Sequence, residues 1–338
     1  MRSVEFNNIL IIKPGAIGDL LQLTPAIRAL HEKYPLARIS ILVGSAATAA
    51  LFQHNPLVHE AIVFDKRGSH HSLSSLARLW LRLCRARYDL VVNFQRSNLK
   101  AWFLASAAFP CRVLVYRKAT RRSVHAVINH RETLAPLGIL PGVLCLELYP
   151  GQEAERYAAD FFSANGLDGK TVIAINPGAS HPVNRWSTAT FAALADLLAD
   201  RLKARVLIIG GADDEPLAQD IVNRTSSNPL VMTGKTDLLQ LGAILKRCNL
   251  LVTGDTGPMH IATAVGTKVV ALFGAADPLR TGPVGAGHRI LQAADVSCLP
   301  CRSRTCTNDV QRECMEKITV EMVESAVREI LGEKGGEG

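Results

Sequence analysis

Residues 253–274, Thr-Gly-Asp-Thr-Gly-Pro-Met-His-Ile-Ala-Thr-Ala-Val-Gly-Thr-Lys-Val-Val-Ala-Leu-Phe-Gly, set a short polar glycine loop between a buried strand and a helix that opens with small residues. The strand is read from Cys248-Asn-Leu-Leu-Val-Thr253, and Pro258 suits the first turn of the helix. The N–H groups that begin a helix lack carbonyl partners and sit at the positive end of its dipole, so the loop favours an anion such as phosphate. Asp255 and Thr256 add polar side chains at the same point. A tight strand-to-helix turn with no ligand is the plainer alternative.

A second glycine loop lies near the N-terminus. The apolar run Asn8-Ile-Leu-Ile-Ile-Lys13 leads into Pro14-Gly-Ala-Ile-Gly-Asp19, then into a helix carrying Leu20, Leu21, Leu23, Ile27 and Leu30. This is a Rossmann-like first crossover. Dinucleotide binding would ask for Gly-x-Gly-x-x-Gly here and an acidic residue closing the next strand. The loop has only Gly-x-x-Gly, and Arg38-Ile-Ser-Ile-Leu-Val-Gly44 ends without a carboxylate, so the nicotinamide reading is weakened.

Strand-like and helix-like segments alternate through both halves, which predicts parallel sheets covered on both faces. The strands are expected at about 8–13, 38–43, 60–64, 89–94 and 112–116, then at 171–176, 205–210, 229–232, 249–253 and 268–273. Pro141-Gly142 and Tyr149-Pro150-Gly151 punctuate the middle. A helix over 152–165 leads into the second half, and another over 319–331 precedes a Gly- and Glu-rich end. The expectation is an N-terminal domain over 1–155, a C-terminal one over 156–331 and a disordered tail at 332–338.

The chain has 338 residues, 48% hydrophobic, with no apolar stretch near the roughly 20 residues of a membrane span. Its start does not read as a signal peptide, so a cytosolic setting is expected, in which eight cysteines need form no disulfides. The formal net charge is +8, unevenly spread: residues 66–131 hold 14 Lys and Arg against a single acid, Asp89. Within that stretch Leu73, Leu76, Trp80 and Leu83 recur at helical spacing while Arg78, Arg82 and Arg85 fall on another face. A basic amphipathic helix is expected, either an ordinary solvated face or a dock for an anionic lipid surface. No nucleic-acid motif or aromatic stacking set accompanies the charge, which argues against a nucleic-acid partner.

Both loops, with Lys13-Pro-Gly-Ala-Ile-Gly-Asp-Leu-Leu-Gln-Leu-Thr-Pro-Ala-Ile27, Asn176-Pro-Gly-Ala-Ser180, Arg185-Trp186 with Phe191, Gly210-Gly-Ala-Asp-Asp-Glu215 and Gly254-Asp-Thr-Gly-Pro-Met-His260, resemble glycosyltransferase family 9, the ADP-heptose:lipopolysaccharide heptosyltransferases. These blocks run through most of the chain in the family's order. The resemblance implies the GT-B architecture, two Rossmann-like doubly wound domains facing across a cleft. It also implies inverting transfer of L-glycero-D-manno-heptose from ADP-heptose to the lipid A-linked core oligosaccharide, at the cytoplasmic face of the inner membrane. A transferase or epimerase using another nucleotide sugar, and a non-catalytic nucleotide-sugar-binding protein, are the alternatives.

Such chemistry needs a base for the acceptor hydroxyl and charges or dipoles for the leaving diphosphate. Asp19 has two local readings, a carboxylate at the mouth of the first strand or a helix cap; the resemblance favours the base. Lys13, Gly15, Gly18 and Thr24 form the acceptor-side loop around it. Arg185 matches a basic family position, commonly Lys, and its guanidinium can take two phosphate oxygens. Asn176, Gly178 and Ser180 offer a small polar turn, and Asp255, Thr256, Gly257 and His260 the second loop. Glu215 resembles the family glutamate placed for ribose hydroxyls, with a helix-dipole role as the alternative. No Asp-x-Asp pair is present, so no cofactor is expected in catalysis. Cys298, Cys301, Cys306 and Cys314 are read as a possible structural zinc site or as free thiols or a disulfide. Cys84, Cys111, Cys145 and Cys248 are expected in the core.

Overall fold

The computed structural model describes residues 5–65, 68, 70, 72–95, 99–116, 123–139, 142 and 144–332. The first half forms β1 (Asn8–Ile12), β2 (Arg38–Val43), β3 (Glu60–Val63), β4 (Leu90–Asn93) and β5 (Arg112–Val115), all parallel, in the order β3-β2-β1-β4-β5. β1 is central, and Ile9 to Ile12 are fully buried, because helices over both faces leave a parallel strand no solvent side. The second half forms β6 (Val172–Asn176), β7 (Arg205–Ile208), β8 (Leu230–Val231), β9 (Leu250–Gly254), β10 (Lys268–Phe273) and β11 (Arg289–Gln292), ordered β11-β10-β9-β6-β7-β8. Every pairing there is parallel too.

Each sheet is thus the doubly wound fold that the alternating pattern predicts. In both, chain order reverses beside the first strand, between β1 and β4 and between β6 and β9. At such a reversal the loops leaving two neighbouring strands turn to opposite faces and open a crevice at the strands' carboxyl ends. The glycine loops at 13–19 and 254–260 leave from these positions.

The chain divides into the units Met1–Tyr149 and Pro150–Gly338. The helix Gln152–Ala164, part of which the sequence reading left with the first domain, lies wholly in the second, where Lys246 pairs with its Glu155 at 2.7 Å. The expected disordered tail at 332–338 lies outside the described residues from 333 onward. The long helix expected after Asp19 is two helices, Ile17–Leu21 and Thr24–Lys33, since Pro25 cannot donate within a continuous helix and opens the second one instead. β11 escaped the sequence reading because it is four residues long and half exposed.

The second core is organised by Trp186, whose indole donates to the Ile318 carbonyl at 2.9 Å and meets Phe191 edge-on at 5.0 Å. In the basic helix Leu73–Arg85, the residues facing the core are Ser75, Leu79 and Leu83, with Leu76, Trp80 and Cys84 partly covered. Leu73 lies in solvent, off the apolar face assigned from spacing, whereas Arg78, Arg82 and Arg85 are exposed on the other face, Arg82 pairing with Glu60 at 2.6 Å.

Candidate active site

In the first unit, β1 ends at Ile12, and the Gly15 N–H donates to the Lys13 carbonyl at 2.8 Å, turning the chain sharply. The turn aims Lys13 at Asp19, Nζ to Oδ1 3.3 Å. A Cβ at position 15 would lie 3.0 Å from the Asp19 Cβ and 3.1 Å from the Lys13 side chain, so glycine is what lets the pair close. The Lys13 side chain is nearly buried while that of Asp19 is 47% exposed, which leaves a carboxylate facing solvent with a cation behind it. Ala16, not Asp19, is the N-cap, and no side chain caps the helix; the cap reading of Asp19 is not realised. Gly18 accepts the Gln22 N–H within that helix. Thr24 is buried, its hydroxyl donating to the Leu21 carbonyl at 2.7 Å and accepting from the Glu147 N–H at 3.0 Å, so its side chain braces the fold behind the loop.

His130, which the sequence did not single out, stands behind this pair. One ring nitrogen lies 3.1 Å from the Gln22 carbonyl, and Phe94 and Tyr116 flank the ring. Burial, and then the Lys13 ammonium, lower its pKa to about 4, opposed by the Gln22 carbonyl and Asp19. A neutral imidazole therefore backs the ion pair. Asn93, at the end of β4, is fully buried, and its carboxamide oxygen accepts the Gln95 N–H while its Nδ2 has no partner. No local motif marks either residue, because each reaches the site through long-range packing.

In the second unit, the Asn176 amide donates to Thr253 Oγ1 at 3.0 Å and Thr256 Oγ1 at 3.1 Å, and the two hydroxyls meet at 3.0 Å. All three residues are buried. Asn176 and Thr256, assigned from sequence to ligand binding, thus have their donor groups occupied in tying β6 to the loop after β9. Thr256 is the N-cap of the helix Gly257–Ala264 but makes no side-chain cap, which leaves the first-turn N–H groups without a side-chain acceptor. His260 is buried inside that helix. Asp255 accepts the Thr281 hydroxyl at 2.9 Å, and burial raises its pKa to about 6 against that bond.

Arg185 follows the tight turn Pro182–Asn184 and is fixed by the anchored Trp186 beside it. Its Nη2 reaches the Ala179 carbonyl at 3.5 Å, and its Nε is buried without a partner, leaving donor capacity at the end of β6. Gly178 is pressed by Asp214, whose carboxylate oxygens would lie 2.5 Å from a Cβ there. Ser180 and Glu215 are exposed, Glu215 at the first position of the helix Glu215–Arg224, where the dipole favours an acid. Sequence reading gave no role to Asp214, within the quoted block 210–215, or to Thr281, which has no motif of its own.

Among the described residues no group of three or more His, Cys, Asp or Glu is arranged to hold a metal ion, the four clustered cysteines included. Cys298 accepts from Asn308 Nδ2 and Cys306 from the Arg312 N–H, both at 3.3 Å, Cys301 is exposed, and Cys314 is buried against Gly274. Burial, and then the neighbouring Cys298, Cys301 and Cys306, raise the pKa of the Cys314 thiol. Of the remaining cysteines, Cys248 is buried and Cys84 and Cys111 pack on the first core, but Cys145 is exposed, contrary to expectation.

The two perturbed groups give opposite pH dependences in separate units. His130 titrates near 4 folded and near 6.5 unfolded, so the unfolded chain binds more protons between these values and first-unit stability falls on acidification through that window. Asp255 is raised from 3.8 to about 6, so second-unit stability falls as pH rises through that window. In urea denaturation followed by far-UV circular dichroism, Asp255→Asn is expected to gain about 1–3 kcal/mol over the parent at pH 7.5 and little at pH 4. His130→Gln should flatten the loss between pH 6.5 and 4. A gain for Asp255→Asn that is the same at both pH values contradicts this assignment.

The model of glycosyltransferase family 9 (heptosyltransferase) matches residues 76–311. The chain is 26% identical over 332 residues to lipooligosaccharide heptosyltransferase 2 of Campylobacter jejuni, covering 95% of this chain and 98% of the relative. Its fold superposes on a family 9 glycosyl transferase of Veillonella parvula with a TM-score of 0.86 at 27% identity, covering 98% and 99% of the two chains. It also matches the Escherichia coli ADP-heptose lipopolysaccharide heptosyltransferase II with a TM-score of 0.76 at 23% identity, covering 96% and 98%. The two doubly wound parallel-sheet units are of the GT-B class to which such enzymes belong. With a model match across more than half its length, the chain belongs to glycosyltransferase family 9, the heptosyltransferases.

Proposed function

We propose that this chain transfers heptose from ADP-heptose, with inversion, to a hydroxyl of the lipopolysaccharide inner core. The observation that carries this reading is that each unit holds a different half of the needed chemistry at its own strand-order reversal. The first presents the half-exposed Asp19 carboxylate, and the second presents open first-turn N–H groups with the under-bonded Arg185 guanidinium. The names of the relatives support the donor and acceptor.

In this reading Asp19 accepts the proton of the acceptor hydroxyl as the new bond forms, and Lys13 holds its carboxylate in place. The N–H groups of Gly257, Met259 and His260 and the Arg185 guanidinium stabilise the negative charge on the departing ADP, while Glu215 serves the ribose hydroxyls. These residues supply the charge stabilisation themselves, so donor binding does not call for a metal. Asp19→Asn keeps the size of the side chain and leaves ADP binding, measured in EDTA, at the parental level. Turnover falls by about 10²–10⁴, the contribution of a positioned general base. Near-parental turnover of folded Asp19→Asn at saturating substrates would overturn the assignment.

The lipid-linked acceptor places the enzyme at the inner face of an anionic membrane. Support comes from the helix Leu99–Ser106 and its surroundings, where Leu99 is 85%, Trp102 40%, Phe103 43% and Phe109 83% exposed, and from the exposed Arg78 and Arg85 of the basic helix, whose Trp80 packs on Phe103. Apolar side chains that enter the headgroup region beside arginines attracted to anionic lipid form a reversible dock, each cation adding about 1 kcal/mol. Trp102→Ser/Phe103→Ser and Arg78→Gln/Arg85→Gln should each weaken co-sedimentation with phosphatidylglycerol vesicles at low salt, with ADP affinity unchanged. Parental sedimentation by both variants would reduce this face to ordinary solvated surface.

A further inference from the structure

Beside the Asp255 loop the second unit contains a cavity of about 280 Å³ whose rim carries Arg280, Arg302 and Arg304. We propose that it binds an anionic substituent, a phosphate monoester or a carboxylate, carried by the acceptor sugar. The assignment to the acceptor rests on the transferase reading above; the anion site itself rests on the cavity.

The floor is the Asp255–Thr281 hydrogen bond, and one wall is Arg302, which is ion-paired with Asp277. Asp277 is buried and also accepts the Leu279 N–H at 3.1 Å, so this wall is fixed. The Arg302 backbone N–H donates to the Ala275 carbonyl at 2.7 Å, bringing the 302–304 segment over the end of β10. No ion pair of Arg280 or Arg304 is found among the described residues. Two guanidinium groups therefore stand at one cavity without a carboxylate of their own, and Asp255 opposes them weakly because burial disfavours its charged form.

A neutral sugar would use Asp255 and Thr281 but gives no reason for Arg280 and Arg304, the two arginines that Asp277 does not pair. An adenine base would want Phe, Tyr or Trp to stack on, and the lining has none of these. The planar donor fork of arginine matches a phosphate or carboxylate, and the volume suits one sugar-sized fragment bearing such a group. The lining shares Asp255 with the donor loop but includes none of Asn176, Gly178, Thr256, Gly257 and His260, so the anion lies beside the donor site and not within it.

The test is Arg280→Gln/Arg304→Gln. With the donor loop filled by saturating ADP and ionic strength matched by chloride, inorganic phosphate should raise the Tm of the parent and not of the variant. Equal shifts in the two proteins overturn the proposal. In turnover, KM for the core acceptor should rise about tenfold or more, as expected on losing charge-assisted hydrogen bonds, with ADP affinity within about twofold of the parent. A tenfold loss of ADP affinity would instead give the cavity to the donor and overturn the proposal. Dephosphorylated and carboxyl-reduced acceptors identify the anion, since the penalty disappears on the acceptor that lacks it. A penalty undiminished on both, or a parental KM, overturns the assignment. If the parent itself fails to use ADP-heptose with the core acceptor, the transferase reading falls, and the phosphate shift still decides whether the cavity is an anion site.

Discussion

The triangle of hydrogen bonds among Asn176, Thr253 and Thr256 is the constraint on which the second unit's chemistry depends. It lies where chain order reverses between β6 and β9, the one place in the sheet where two departing loops leave a gap. Joining one strand's end to the other's loop fixes the first turn of the helix Gly257–Ala264 relative to Arg185. The two Asn176 donors and two threonine hydroxyls satisfy each other in the interior, while the Asn176 carboxamide oxygen is buried without a partner. Breaking one member would strand the others, and the loss would exceed that of a single bond.

The first unit uses charge where the second uses amides. Lys13 is nearly buried and its partner Asp19 is not, an asymmetry that keeps the carboxylate accessible while the ammonium is held. His130 completes the arrangement by staying neutral: an imidazolium behind Lys13 would place two cations against one carboxylate in a dry setting. Gly15 is the other requirement, because any side chain there would meet both members of the pair. Rigid support from the brace in one unit and from neutral packing in the other is what preorganised charge stabilisation needs.

Periodicity and loop chemistry made most of the fold legible. Ten of the eleven strands follow from apolar runs between turn signals, and β11 does not because it is short and half exposed. The glycine loops mark both strand-order reversals, since glycine and small polar residues are what a tight strand-to-helix turn admits. The split at Pro25 shows a proline starting a helix where spacing alone suggested continuity. Among site residues, Lys13, Gly15 and Asp255 lie in the loops that leave β1 and β9, Asp19 falls in the helix after the first of these, and Arg185 follows the tight turn Pro182–Asn184. Thr24, Asn176 and Thr256 proved to be braces, because sequence identifies a polar group near a loop but not the partner that occupies it. His130 and Arg304 were invisible for the opposite reason, each being brought in by packing far along the chain.

In the proposed function the base and the leaving-group stabilisation lie on different units, and this has a stereochemical consequence. A base on the acceptor side and a phosphate-binding loop on the donor side favour a single displacement at the anomeric carbon, with no enzyme nucleophile. The most direct measurement is the anomeric configuration of the product formed from ADP-heptose and core acceptor, read from its one-bond carbon–hydrogen coupling by NMR. The account predicts a heptosyl linkage of configuration opposite to that of the donor. A product that retains the donor's configuration would contradict it.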